Sequence, residues 1–169
     1  MAENVPNPMP RQRDPARPTL YLMVGLPGAG KTTRAKEIEA DHAALRLTPD
    51  EWILALFGPD LDRAQRDAVR DPVEALQWQV AKRVLRLGGN VVLDWGFWSR
   101  AERDHYRRQA EAVGAAVRVV FVDRPLDELW QRVSGRDESR TGTLQISRAE
   151  LQAWARTFEP PTDDELNEP

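Results

Sequence analysis

The chain has 169 residues, 24 basic and 27 acidic side chains, a formal charge of −3 and no cysteine. That is enough for one core and too little for two ordinary domains. Disulfides, thiol nucleophiles and Cys-ligated metals are excluded, and with only His42 and His105 so is a histidine-rich site, which leaves oxygen ligation for any metal.

Residues 1–18 hold five prolines and no hydrophobic period, and they bury too little to offset the entropy of ordering, so a disordered tail is expected. They also lack the apolar core of a secretory signal, and no apolar run approaches the roughly 20 residues of a membrane span. The slightly acidic balance speaks against a protein that coats nucleic acid. A cytoplasmic protein with no membrane partner is expected.

The first strand is expected at Thr19–Val24, TLYLMV. Directly after it comes Gly25-Leu26-Pro27-Gly28-Ala29-Gly30-Lys31-Thr32-Thr33, which matches the phosphate-loop pattern G-x-x-x-x-G-K-[ST] and opens a helix. Glycines let backbone N–H groups curl around anionic oxygens, and the helix N-terminus adds partial positive charge. Residues Gly25 and Pro27 to Thr33 are therefore the candidate nucleotide-binding loop for ATP. Lys31 is expected on the β- and γ-phosphates and Thr32 on Mg²⁺. A dinucleotide fingerprint fits worse, because the glycines fall as G-x-x-G-x-G.

The second strand, Ala44–Leu47, runs into Thr48-Pro49-Asp50-Glu51, read as a helix start with Pro49 at the first helical position and Glu51 completing a capping box with Thr48. Asp50 then sits at the carboxyl edge of the sheet, where open α/β folds bind ligands. It is either an ordinary first-turn acid or the group that takes the proton of an attacking hydroxyl. A further box at Asp71 and Glu74, with Pro72, is read as the start of a long helix ending at Gly88-Gly89.

The third strand, Asn90–Leu93, ends at Asp94, a candidate metal or acceptor ligand whose bland alternative is a turn acid. The next residue is Trp95, where a water-activating ATPase usually carries Glu, and no base-reading N-K-x-D of a GTPase occurs. This favours transfer to a hydroxyl. Trp95, Phe97 and Trp98 pack in the core or stack on an amphipathic acceptor, while Arg100 and Arg103, after the box Ser99/Glu102, are candidate ligands for an anionic group. His105 and Tyr106 receive no role.

A fourth strand is expected at Val117–Val122, then a helix from Pro125, a polar connection from Ser134 to Ile146, and a helix from Ser147 capped by Glu150. Residues 125–158 form a candidate lid. The acidic, proline-containing residues 159–169 are expected to run along the surface or fray, leaving a folded unit of 19–158. Strands alternating with helices indicate a parallel sheet covered on both faces.

The phosphate loop, LTPDEW, VVLDWGFWSRAERD and LWQRVSGR together resemble a family of small P-loop kinases related to polynucleotide 5′-hydroxyl kinase, zeta-toxin-type kinases, chloramphenicol phosphotransferase and tunicamycin-resistance proteins. The resemblance spans roughly 19–160. It implies strand order 2-3-1-4, Asp50 as general base, and lid arginines over the phosphates, which map to Arg132, Arg136 and Arg140. Two departures stand out: no strand-like run follows the lid, so no adenine wall is assigned, and Trp95-Gly96-Phe97-Trp98 replaces the small polar residues usual in polynucleotide kinases. The expected activity is γ-phosphoryl transfer from Mg²⁺-ATP to a hydroxyl of a small molecule, nucleoside or nucleotide. The alternatives are a nucleic-acid 5′ end as acceptor and a non-catalytic ATP-binding module.

Overall fold

The computed structural model describes residues 17–135 and 146–166. Residues 1–16 of the tail expected over 1–18, candidates Arg136 and Arg140, and residues 167–169 lie outside the described residues, while Arg17 and Pro18 hydrogen-bond to Gly114, Ala115 and Ala116.

In chain order the elements are β1 (Thr19–Val24), α1 (Lys31–Asp41), β2 (Ala44–Leu47), α2 (Pro49–Phe57), α3 (Arg63–Arg86), β3 (Asn90–Gly96), α4 (Arg100–Glu111), β4 (Ala116–Phe121), α5 (Leu126–Ser134), α6 (Arg148–Thr157) and the single turn α7 (Asp163–Leu166). The strands form a parallel sheet in the order β2-β3-β1-β4. β1 lies inside it, with Leu20 opposite both Val91 and Val117. From Leu20 to Val24 it is fully buried and carries no charge, because both faces are covered. Leu20, Leu22 and Val24 pack with Trp78, Ala81 and Leu85 of α3, and Tyr21 and Met23 pack on Ala35 and Ile38 of α1. The strand period of two sends alternate residues to opposite layers. Fully burying each large aliphatic side chain contributes about 1.5–3 kcal/mol.

The register slips between Leu22, opposite Leu93, and Val24, opposite Gly96, so Asp94 and Trp95 both fall against Met23. Parity then separates the two neighbours. Asp94 shares the α1 side with Val92, and Trp95 shares the α3 side with Val91, Leu93 and Phe97. Both remain at the carboxyl edge of the sheet.

A third cluster joins the candidate lid helices α5 and α6 to the segment after β1. Leu26 and Ala29 pack with Leu129 of α5 and Leu151 of α6, with Trp130, Ile146, Trp154 and Phe158 around them.

Three local expectations are corrected. The long helix starts at Arg63, not near Asp71: Asp62 accepts from the Gln65 N–H while the Gln65 side chain accepts from the Asp62 N–H, a complete capping box. Pro72 therefore lies inside the helix, where it lacks the N–H that would bond four residues back. Thr48 makes no side-chain cap, and Glu51 instead accepts from Arg46 NH2 at 2.6 Å. The described part of the acidic end, 159–166, docks on the body instead of running free. Glu165 is 2% exposed and forms a two-pronged pair with fully buried Arg103, at 2.7 and 3.0 Å.

Candidate active site

The phosphate loop obtains its curvature from residues that tolerate positive φ. At Gly28 (φ +87°) a Cβ would stand 2.9 Å from Val133 Cγ2 and 3.0 Å from the Leu129 carbonyl oxygen, so α5 packs directly on the loop backbone. Gly25 meets the Val122 carbonyl oxygen in the same way. Arginine side chains clamp the loop's carbonyls. Arg132 Nε donates to Gly28 O at 2.7 Å and Arg124 Nε donates to Ala29 O at 2.8 Å. Lys31 Nζ donates to Leu26 O at 3.0 Å, which holds the ammonium over the loop. Gly30 caps α1 in a left-handed conformation without a side-chain bond, so the first N–H groups of α1 keep their capacity for an anion.

A cleft of about 620 Å³ opens above this loop. Pro27, Gly28, Gly30, Lys31, Thr32 and Thr33 line its phosphate end, with Thr48, Asp50, Asp94 and Arg132. Gly25 and Ala29 lie beneath it and support the loop; Ala29 is 1% exposed, in the cluster with Leu129.

Asp94 is 7% exposed. Its Oδ2 has no hydrogen-bond partner among the described residues, and Arg46 NH1, 3.6 Å away, is an ion pair beyond hydrogen-bond reach. Burial holds the Asp94 carboxyl above its usual range; the Thr32 hydroxyl, Lys31 and Arg46 pull the other way, and Asp50 adds to the rise. An orphaned carboxylate oxygen beside a threonine hydroxyl fits one side of a hydrated Mg²⁺. Such an ion takes few protein ligands and fills its shell with water and phosphate oxygens. No cluster of three or more His, Cys, Asp or Glu side chains suited to a metal occurs among the described residues.

Asp50 stands in the first turn of α2, exposed to the cleft, with Oδ1 accepting from Arg70 NH1 at 3.1 Å. Arg70 also pairs with Glu74 at 2.8 Å. Burial opposes the charge on Arg70, but Asp50 and Glu74 outweigh it and hold its pKa above the usual arginine value.

Trp95 belongs to both readings considered for it. Its ring stacks on Phe97 and meets Tyr106 edge-on at centroid distances of 5.7 and 5.3 Å, yet it also lines the cleft. Trp98, half-buried, meets Trp154 of α6 edge-on at 5.4 Å. Its backbone is fixed from both sides: its N–H donates to Glu102 Oε2 at 3.0 Å and its carbonyl accepts from Glu159 N at 2.9 Å.

The two arginines expected on the acceptor are occupied elsewhere. Arg103 is fully buried on Glu165 and the Glu159 carbonyl, and Arg100 points away to Thr162 and Asp164, at 3.0 and 2.6 Å. Neither lines the cleft. The physical reason is the acidic end of the chain, whose carboxylates are better placed than a soluble ligand to neutralise them.

Sequence reasoning missed the charged wall of the cleft: Arg63, Asp67, Arg70, Asp71 and Glu74 of α3, and Glu102 of α4. Their spacing is helical and was available as a signal. Starting the helix at Asp71 left Arg63 to Arg70 outside any element and hid the stripe.

A family model described as an AAA domain, AAA_33, matches residues 20–161. Among solved structures, a kinase candidate from Chloroflexus aurantiacus is 18% identical with a TM-score of 0.71, the alignment covering 88% of this chain and 84% of that one. Kti12 from Chaetomium thermophilum, in complex with ADP-AlF3, is 21% identical at TM-score 0.64, covering 85% and 81%. A chain of the Pnkp1/Rnl/Hen1 RNA repair complex is 23% identical at TM-score 0.62, and 89% of this chain matches 50% of that one. These identities speak to the fold, which is that of P-loop kinases. No curated protein matches this sequence.

Proposed function

We propose that this chain, which belongs to the AAA_33 family of AAA domains, is an ATP-dependent kinase that transfers the γ-phosphoryl group to a hydroxyl of a small molecule or nucleoside. The observation that carries the reading is convergence. Lys31, Thr32, Asp94 and Asp50 line one cleft at the carboxyl edge of the sheet, and the residue after Asp94 is Trp95.

The loop amides of Gly28 to Thr33 and the Lys31 ammonium bind the phosphates of ATP. Thr32 and Asp94 would hold Mg²⁺, which when bound neutralises charge on the phosphate oxygens. Asp50, steadied by Arg70 on Oδ1, keeps its other oxygen for the acceptor O–H. The acceptor oxygen bonds to the γ-phosphorus as the bond to the β–γ bridging oxygen breaks. ADP leaves with that electron pair, and the acceptor proton passes to Asp50. Arg132 sits on the loop side of the cleft, where rotation of its guanidinium away from Gly28 O would set it against the transferring group. The lid comprises α5 and α6, which rest on the loop through Leu129 and Leu151.

The test is transfer of labelled γ-phosphate from Mg²⁺-ATP to a pooled panel of hydroxyl compounds by wild type and Asp50→Asn. General-base loss costs about 10²–10⁴ in rate, so kcat is expected to fall in that range while ATP affinity is retained. Equal transfer by both proteins would remove Asp50 from the mechanism. Absence of transfer, with ATP binding intact in both, would favour the non-catalytic module.

A further inference from the structure

Beyond the phosphate end, the cleft has a second chemistry that the γ-phosphate does not use. Asp67, Arg70, Asp71 and Glu74 recur at spacings of three and four, so a single face of α3 turns them toward the opening. Glu102 approaches from the first turn of α4. The two cations in this wall are already engaged: Arg63 pairs with Glu150 at 2.8 Å, and Arg70 is shared between Asp50 and Glu74. Asp67 and Asp71 are exposed, and neither has a hydrogen-bond or ion-pair partner among the described residues. The acceptor end therefore has negative charge in excess. Glu74 registers it: burial raises its carboxyl, and Glu102 and Asp71 raise it further against the pull of Arg70.

The remaining wall is aromatic. Trp95, Trp98 and Trp154 line the same cleft as these carboxylates, and Trp98 meets Trp154 edge-on. Trp95 is 8% exposed and its Nε1 has no acceptor among the described residues. Carboxylates set around indole rings attract an organic cation twice, through charge and through the ring quadrupole, and repel an anion.

We infer that the phosphoryl acceptor is an amine-bearing alcohol, whose ammonium lies between Asp67, Asp71 and Glu102 and the Trp98–Trp154 pair while its hydroxyl faces Asp50. The inference rests on the kinase reading of this cleft and adds the acceptor's charge. It places a nucleic-acid 5′ end among disfavoured acceptors, because backbone phosphates would meet the α3 carboxylates.

The experiment uses the full chain and matched acceptors: an amino sugar and an aryl amino alcohol, each beside its N-acetyl derivative, and a 5′-hydroxyl oligonucleotide. Labelled transfer from Mg²⁺-ATP gives kcat/KM, and calorimetry follows the same amines titrated into nucleotide-free protein. The amines are expected to exceed their acetylated partners by about tenfold, the order of one ammonium contact with a carboxylate and an aromatic face. The exposed double variant Asp67→Asn/Asp71→Asn should lose most of that preference through KM and keep kcat. A neutral or anionic acceptor used as well as the amine, or a preference unchanged in the double variant, overturns the inference and leaves the kinase reading standing. No transfer to any acceptor, with amine binding that the double variant loses, supports the cation site and overturns the kinase reading. No transfer and no amine binding overturns both.

Discussion

The two ends of the cleft are built on different principles. The proposed phosphate end is made by one contiguous run, Gly25 to Thr33, whose backbone N–H groups would supply most of the binding groups. The proposed acceptor end draws single residues from α3, β3, α4 and α6, separated by up to 91 positions between Arg63 and Trp154. Backbone-built sites depend on residue conformation, so they survive sequence drift and leave a pattern. Side-chain-built sites depend on how helices rest on the sheet, so they vary in composition while the fold stays the same.

This contrast also assigns different parts to the flanking segments. The phosphate end is braced by α5 through its contact with Gly28 and through Arg132, and by Arg124 just before that helix. The acceptor end is braced by the acidic end of the chain, which grips α4 through Arg103 and holds the backbone on both sides of Trp98, with Glu159 N on its carbonyl and Glu159 Oε2 accepting from Arg100 N at 2.7 Å. Phe158 stacks on Phe121 and brings that segment over the β4 edge.

If the acceptor end is held by the chain's terminus, then breaking the buried pair should produce the largest effect. Removing one partner of such a pair costs about 3–5 kcal/mol because the other charge is left buried and alone. Glu165→Gln is therefore expected to lower the unfolding free energy by that order in chemical denaturation. A loss below about 1 kcal/mol would mean that Arg103 finds water or another acceptor, and that the terminus is not what holds the acceptor wall.

The phosphate end is tested by Lys31→Ala. A preorganised donor to developing charge is worth about 10²–10³ in rate, so transfer should fall by at least that factor, with weakened ATP binding and unchanged thermal stability. Weakened acceptor binding with ATP affinity intact would contradict the division between the two ends.

The smallest expected effect concerns Tyr106, which sits behind Trp95 and Phe97 and carries no site role. Burial, with Glu74, Glu102 and Asp71 adding to it, pushes its hydroxyl up to about 12. The unfolded chain's tyrosine ionises near pH 10, so between that pH and about 12 the folded state binds more protons and stability falls as pH rises. Denaturation series over that interval should show the fall in wild type and a shallower one in Tyr106→Phe. Identical slopes would show that the aromatic wall does not shield this hydroxyl.

Legibility followed the same division. The strands were readable because β1 is buried on both faces from Leu20 to Val24 and carries no charged residue there, and the strand order agrees with the one implied by the resemblance. The capping box at Ser147 was readable because a first-turn carboxylate only has to reach its own neighbours. The same inference failed at Thr48, since Arg46 competes for Glu51 from the adjoining strand, and at Asp71, where Pro72 imitates a helix start in a helix already two turns long. Arg100 and Arg103 follow Trp98 closely and suggested a ligand-binding pair, but their partners are about sixty residues away in sequence.

The sequence by itself determined the nucleotide loop, the alternation of strands and helices, and the absence of a carboxylate after Asp94. These are properties of contiguous residues and of backbone conformation. Only the tertiary structure decided which charges face the cleft and which are spent inside the protein. A side chain's charge is the same in either place, and its meaning depends on whether the nearest opposite charge is another part of the chain or a ligand still to arrive.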